Sequence, residues 1–240
     1  MKVIPWEDNQ SLTDLQKDIL VGCLLGDGRL ECRSQSGRAR FRVHHAESQS
    51  EFLFWKYHYF QNLTRGAPWR TEWLDKRNGR VYGSWFFHTV TNPVFEPFHK
   101  RFYREGTKVI PENIGNDLTP RALAVWVMDD GCRTRNEIIL NTQSFTFDEQ
   151  QRLLDEMHRL YSIKGTINRD RSNFRLRFGR IDAEKLSRIV EPYVIESLSA
   201  KIVPVSTVFG STIQTGGCAR VENMSYSHNT QDHACERDKV

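Results

Sequence analysis

The chain has no apolar run long enough to cross a lipid bilayer, and Met1-Lys2-Val3-Ile4-Pro5 shows none of the pattern of a signal peptide. Cysteine is scarce and unpatterned. Cys23, Cys32, Cys132, Cys218 and Cys235 are five in 240 residues, an odd number with no CxxC spacing. This argues against a disulfide frame and for an intracellular, reducing compartment. Charge of one sign is also missing at the level of the whole molecule. A net charge of +4 means that any polyanion is met by local patches and not by a uniformly basic surface. From about Val205 the chain is rich in Ser, Thr, Gly and Asn with little periodicity, and 205–240 is expected to be a flexible tail. Its Cys218, His228, His233 and Cys235 match no common zinc spacing.

What the sequence does contain is a stretch that occurs twice. Leu20-Val21-Gly22-Cys23-Leu24-Leu25-Gly26-Asp27-Gly28 reappears as Leu123-Ala124-Val125-Trp126-Val127-Met128-Asp129-Asp130-Gly131. Each copy reads as an apolar helix that ends on an acidic residue and a glycine, with the glycine expected in the left-handed position after the helix. A carboxylate there faces the negative end of the helix dipole, which is locally unfavourable. Two such ends side by side call for a cation between them, and paired carboxylates suit a hard divalent metal.

The flanking elements repeat as well. Thr13-Asp14-Leu15-Gln16 is a capping box opening the first motif helix, and Thr119 with Pro120 at the first helical position opens the second. Ser48 to Glu51 and Thr146 to Glu149 read as further capping boxes, Asn92 and Asp182 as further caps. Between them lie strand pairs of period two, and Lys108-Val109-Ile110-Pro111 is echoed by Lys201-Ile202-Val203-Pro204. The order helix-strand-strand-helix-strand-strand-helix therefore appears twice, and an internal duplication is the economical explanation. The expected divisions are a lead-in 1–11, a first repeat 12–106, a linker 107–117, a second repeat 118–204 and the tail.

Arginine is concentrated in the strands. Arg29, Arg33, Arg38, Arg40 and Arg42 face Glu31 alone in one segment, and Lys164, Arg169, Arg171, Arg175, Arg177 and Arg180 face Asp170 alone in another. Alternation with apolar residues predicts a guanidinium face on each strand, of a kind that meets phosphates or the guanine edge in a major groove. Trp69, Trp73, Trp85, Phe86 and Phe87 are expected to serve as core and as sheet-to-helix packing.

The two motif copies, together with Leu140-Asn141-Thr142-Gln143-Ser144-Phe145-Thr146-Phe147, resemble the LAGLIDADG homing endonucleases in their single-chain, two-motif form, over roughly Leu12 to Pro204. The resemblance implies an α+β fold: a duplicated αββαββα plan with a pseudo-twofold axis and two saddle-shaped antiparallel β-sheets backed by helices. It also implies a monomer that hydrolyses both strands of double-stranded DNA with Mg²⁺, Mn²⁺ being tolerated, and leaves short 3′ overhangs. By position, Asp27 and Asp130 would hold the metal, Lys108 and Lys201 would lie near the phosphates, and Gln143 would hold a water near the second site. DNA contacts are expected from Arg29, Arg33, Arg38, Arg40, Arg42, Arg133, Arg135, Arg169, Arg175 and Arg177. Asp129, where the family has a small residue, has no role assigned by the resemblance. Two alternatives use the same fold: a splicing maturase acting on intron RNA, and a DNA-binding regulator that does not cut. The retained acids and lysines count against the regulator, and the absence of a long extra basic segment counts against the maturase. No splicing segments flank the plan, which counts against an intein.

Overall fold

A computed structural model of the protein describes residues 11–32 and 38–202. Arg33, most of the lead-in and the 205–240 tail with its cysteines and histidines lie outside the described residues. The first repeat runs α1 (Asp14–Leu25), β1 (Arg29–Cys32), β2 (Ala39–Ala46), α2 (Ser50–Phe60), β3 (Trp69–Asp75), β4 (Arg80–His88) and α3 (Glu96–Phe102). A short pair, β5 (Tyr103–Arg104) and β6 (Thr107–Lys108), leads out of it. The second repeat runs α4 (Pro120–Asp130), β7 (Gly131–Thr134), β8 (Glu137–Leu140), α5 (Phe147–Tyr161), β9 (Thr166–Asp170), β10 (Asn173–Phe178) and α6 (Arg180–Val190). The two main sheets are antiparallel with strand orders β1-β2-β4-β3 and β7-β8-β10-β9, so the duplication holds at the level of topology.

The halves meet through the motif helices. Asp18 is ion-paired with Arg121 at 3.1 Å. Gly22 lies against Val125 and the carbonyl of Ala122, and Gly26 lies against Asp129. In each case the two partners occupy the same position of their own repeat, one helical turn apart along α1 and α4. Equivalent residues touching one another is the signature of a twofold relation between the helices. Side chains of ordinary size would prevent it: a Cβ on Gly22 would sit 2.5 Å from the Ala122 oxygen, and one on Gly26 would sit 2.6 Å from the Cβ of Asp129. The core is continuous across this seam, with Ile19, Cys23, Leu24, Ala122, Trp126 and Val127 fully buried.

Most caps form as the residue pattern predicts. Thr13 with Gln16 and Thr146 with Glu149 make capping boxes, and Thr119 accepts from the amide of Ala122. Three expectations fail. Gly26, Gly28 and Gly131 are not left-handed; among the described glycines only Gly79 and Gly106 have positive φ. Contact between the two helices is what requires glycine at Gly22 and Gly26, whereas a Cβ on Gly28 or Gly131 would meet Cys23 or Val127 of its own preceding helix. Ser48 to Glu51 is no capping box, because a 3-10 turn over Glu47–Gln49 runs straight into α2. Asp182 lies in the first turn of α6 instead of capping it, and accepts from the amide of Lys164 at 2.9 Å. Gln143 is beyond the end of β8, in the turn before α5.

The aromatic expectation is half right. Pairing places Trp85 and Phe87 on the helix-facing side of β4, where they meet Phe54 and Tyr57 of α2. Trp69, Trp73 and Phe86 alternate onto the other side, among Arg42, His44 and His88. A strand turns successive side chains to opposite faces, so neighbouring aromatics in sequence separate in space.

Candidate functional site

Both motif helices end at one cleft of about 910 Å³, bordered by Asp27, Asp129, Asp130, Lys108 and Lys201. Asp130 is the last residue of α4 and is half-buried, whereas α1 stops at Leu25 and leaves Asp27 exposed just beyond it. The helix pair thus delivers three carboxylates to the negative ends of two dipoles. Such an arrangement is stable only with cations close by, and the chain itself supplies three ammonium groups.

Two of them are the lysines picked out by sequence. Lys108 donates to the carbonyls of Gly26 and Gly28, both at 2.8 Å, and so ties β6 to the end of α1. Lys201 does the same for α4, donating to the carbonyls of Met128 and, at 3.0 Å, Asp129. The repeats therefore use matching lysines to neutralise matching helix ends. Burial lowers both lysine pKa values, and the neighbouring carboxylates oppose that, Asp130 foremost for Lys108 and Asp129 for Lys201.

The third ammonium group was not anticipated. Lys56 on α2 is fully buried, and its Nζ donates to Asp129 Oδ1 at 2.5 Å and to His45 Nε2 at 2.9 Å. It also lies 3.9 Å from the centre of the Phe52 ring. Burial pushes the Asp129 carboxyl upward and Lys56 opposes it, while for Lys56 burial acts downward but Asp129, Cys23 and Asp27 together keep it above its ordinary value. Burial together with Lys56 holds His45 well below its usual value, so its ring is neutral and accepts from Lys56. A sequence signal existed: Phe52, Lys56 and Phe60 recur one helical turn apart, a charge in the middle of an apolar stripe.

Gln143 donates to Asp170 at 2.7 Å and does not border the cleft; Asn141 does, and its amide donates to the Asp130 carbonyl at 3.1 Å. Ser144 borders the cleft as well.

On the sheets, register divides the arginines. Arg29, Arg40 and Arg42 share one face of β1 and β2, and Arg175 and Arg177 share the corresponding face of β10. Arg133 and Arg169 fall on the opposite faces, paired with buried Ile138 and with Phe174; Arg133 instead reaches the cleft and donates to the carbonyl of Ile202. Arg38 precedes β2 and Arg135 takes positive φ at the β7–β8 turn, both exposed. The outward faces are not purely cationic. Glu31 receives Arg29 at 2.7 Å, Arg40 at 2.6 Å and Arg42 at 3.0 Å, and Glu137 receives Arg177. Burial pushes the Glu31 carboxyl up, but hydrogen bonds from Arg40 and Arg42 and the charge of Arg29 prevail and lower it to about 2. A carboxylate central to three guanidinium groups pre-sets their positions before any polyanion arrives.

Comparisons with known proteins agree with this arrangement. The chain is 29% identical over 209 residues to the DNA endonuclease I-ChuI of Chlamydomonas applanata, covering 80% of this chain and 96% of that one. It is 30% identical over 196 residues to the cytochrome b mRNA maturase bI2 of Saccharomyces cerevisiae, covering 77% of this chain but 46% of the maturase. The fold matches that of the homing endonuclease I-WcaI, solved bound to its DNA recognition sequence, with a TM-score of 0.76 at 21% identity over 81% of this chain and 88% of that one. A family model described as the LAGLIDADG DNA endonuclease family matches residues 17–186, a span that takes in most of α1, all of α4 and both main sheets, and the chain belongs to that family.

Proposed function

We propose that the chain is a site-specific endonuclease that binds a long double-stranded DNA target as a monomer and hydrolyses both strands with Mg²⁺. The observation that carries this reading is the cleft to which two packed helices bring Asp27 and Asp130, with a lysine bonded to the end of each helix. Family membership sets the class of reaction, and the short 3′ overhangs follow from the family resemblance.

The residues present suit a hard divalent ion. The donors at the mouth of the cleft are carboxylate oxygens, as Mg²⁺ prefers. When bound, the ion supplies Lewis acidity, easing deprotonation of water and offsetting charge on the phosphate. Asp27 and Asp130 would hold it. Lys108 and Lys201 fix the helix ends that carry those carboxylates, and their ammonium groups add positive charge where negative charge develops. Arg29, Arg40, Arg42, Arg175 and Arg177 would position the DNA backbone or read base edges from the two sheets.

A plasmid-cleavage screen with and without Mg²⁺ tests the reading: metal-dependent linearisation of DNA carrying a selected site supports it, and its absence under all divalent ions refutes it. A second reading has one observation in its favour. Trp69, Phe86, Trp73 and Tyr82 expose aromatic surface on the outward face of the first sheet, of the kind on which unpaired bases stack. Binding of structured intron RNA in preference to duplex DNA would favour a maturase instead.

A further inference from the structure

Asp27, His45 and Asp129 each bring a ligand atom within 4.8 Å of the others, which is the spacing of a metal triad. It borders the same cleft as Asp130, where the two motif helices end. Yet two of its three ligands are already engaged: Lys56 Nζ lies on Asp129 Oδ1 and on His45 Nε2. The ammonium is therefore located where a cation would sit, and its donors occupy the facing lone pairs of Asp129 Oδ1 and His45 Nε2, while Asp129 Oδ2 is buried against Gly26. Nothing about helix formation calls for this lysine. The seventh residue of α2 is Lys56, and the seventh of α5 in the other repeat is Leu153, buried like it. Asp129 is likewise single, since its counterpart in α1 is Gly26. Acid and base are thus present as a matched pair in one copy, and they connect α2 of the first repeat to α4 of the second.

Resting on the reading of Asp27 and Asp130 as metal ligands, we infer that Lys56 is a positioning residue that keeps Asp129 and His45 out of the metal shell. With Lys56 in place, the ligands left to a cation are the carboxylates at the mouth, a hard, all-oxygen set that favours Mg²⁺. Without it, an imidazole and two carboxylates converge, a set that suits Zn²⁺, Co²⁺ or Mn²⁺. Lys56 thereby sets which carboxylate of the Asp129-Asp130 pair serves the metal and which class of ion the site accepts. Fixed positive charge in the floor also gives Asp129 its counter-ion before any metal arrives, so the helix ends are held in place in the metal-free protein.

The test uses the full chain without DNA. Wild-type protein titrated with Co²⁺ should give no visible band from imidazole ligation. Lys56→Met should gain such a band with one equivalent of Co²⁺ and should bind Zn²⁺ at least about tenfold more tightly than wild type, the scale on which a metal's surroundings alter affinity. Zn²⁺ should raise the melting temperature of Lys56→Met and leave that of wild type unchanged. Lys56→Met/Asp129→Asn should lose both effects. Because Lys56→Met leaves a buried carboxylate without its partner, it is also refolded with Zn²⁺, where recovery of the fold is the expected result. Three outcomes overturn the inference. One is a wild-type Co²⁺ band that His45→Gln abolishes. Another is a folded Lys56→Met that takes up no additional metal. The third is a Lys56→Met that stays unfolded with Zn²⁺ while the double variant folds. Since no readout involves DNA, a failure to cleave would count against the nuclease reading and would be told apart from failure here.

Discussion

At the scale of residues, the cleft divides its charged groups by task. Asp27 and Asp130 stand at the mouth, Asp129 is spent on Lys56, and Lys108 and Lys201 hold main-chain carbonyls. Asp27→Asn or Asp130→Asn should nearly abolish cleavage and leave DNA affinity largely intact, because the proposed binding surface is on the sheets. Gel-shift and cleavage assays on one preparation check this, and normal cutting by both variants would remove the assignment. The lysines act differently. Each is bonded to the helix end of its own repeat, so each should serve one scissile phosphate more than the other. Lys108→Met or Lys201→Met is expected to slow one strand by about a hundredfold, the usual cost of losing one charge-stabilising group. Supercoiled plasmid would then accumulate as nicked circle before linear product appears; equal slowing of both strands would count against this.

At the scale of elements, the α1–α4 seam and the β1–β2 face carry separate predictions. A methyl on Gly22 would meet the Ala122 carbonyl at 2.5 Å and the Val125 Cβ at 2.6 Å, both on a packed helix that cannot yield locally. Gly22→Ala should therefore destabilise the protein by about 1–3 kcal/mol, whereas Gly66→Ala, with nothing within 4 Å, should have little effect. Denaturant titration of the two variants decides it. On the sheet, Glu31 has a carboxyl lowered to about 2. A depressed carboxyl contributes stability that is complete above its unfolded pKa and is lost as pH falls toward the folded value. The first sheet should accordingly weaken between the ordinary glutamate range near 4.5 and about 2, and Glu31→Gln should remove that part of the acid transition. The same substitution releases Arg29, Arg40 and Arg42 from their shared partner. Nonspecific DNA binding should become tighter, with a salt slope steeper by about 0.9 for each phosphate newly contacted.

At the scale of the whole molecule, a duplicated frame carries unlike surfaces. The outward face of the first sheet includes Trp69, 39% exposed, against Phe86, His44 and His88, while the second presents Arg175, Arg177 and Glu137 without such aromatics. Aromatic and methyl-bearing surface contacts the thymine methyl in a major groove, whereas guanidinium reads guanine. The two half-sites should therefore differ. Trp69→Ala should relax base preference in one half of the target only, and replacing thymine by uracil should weaken binding only in that half. Equal effects in both halves would show that the aromatic face is not a reading surface. Gel filtration and cleavage at low protein concentration should be those of a monomer, since both halves of the cleft come from one chain.

Much of this was legible in the sequence, because its signals are local. Period-two strands, capping boxes at Thr13 and Thr146 and two copies of an apolar-Asp-Gly helix end each depend on neighbours within a few residues, and so the duplicated α+β plan, Asp27, Asp130, Lys108 and Lys201 could be picked out. Which face an arginine or tryptophan occupies depends on strand register, so Arg133, Arg169, Trp69 and Phe86 went to sides that composition could not assign. That Asn141 borders the cleft while Gln143 lies against Asp170 depends on where β8 ends. The role of Asp129 was the furthest from reach. Its partner is on another helix of the other repeat, and a buried carboxylate acquires meaning only from the charge that folding brings beside it.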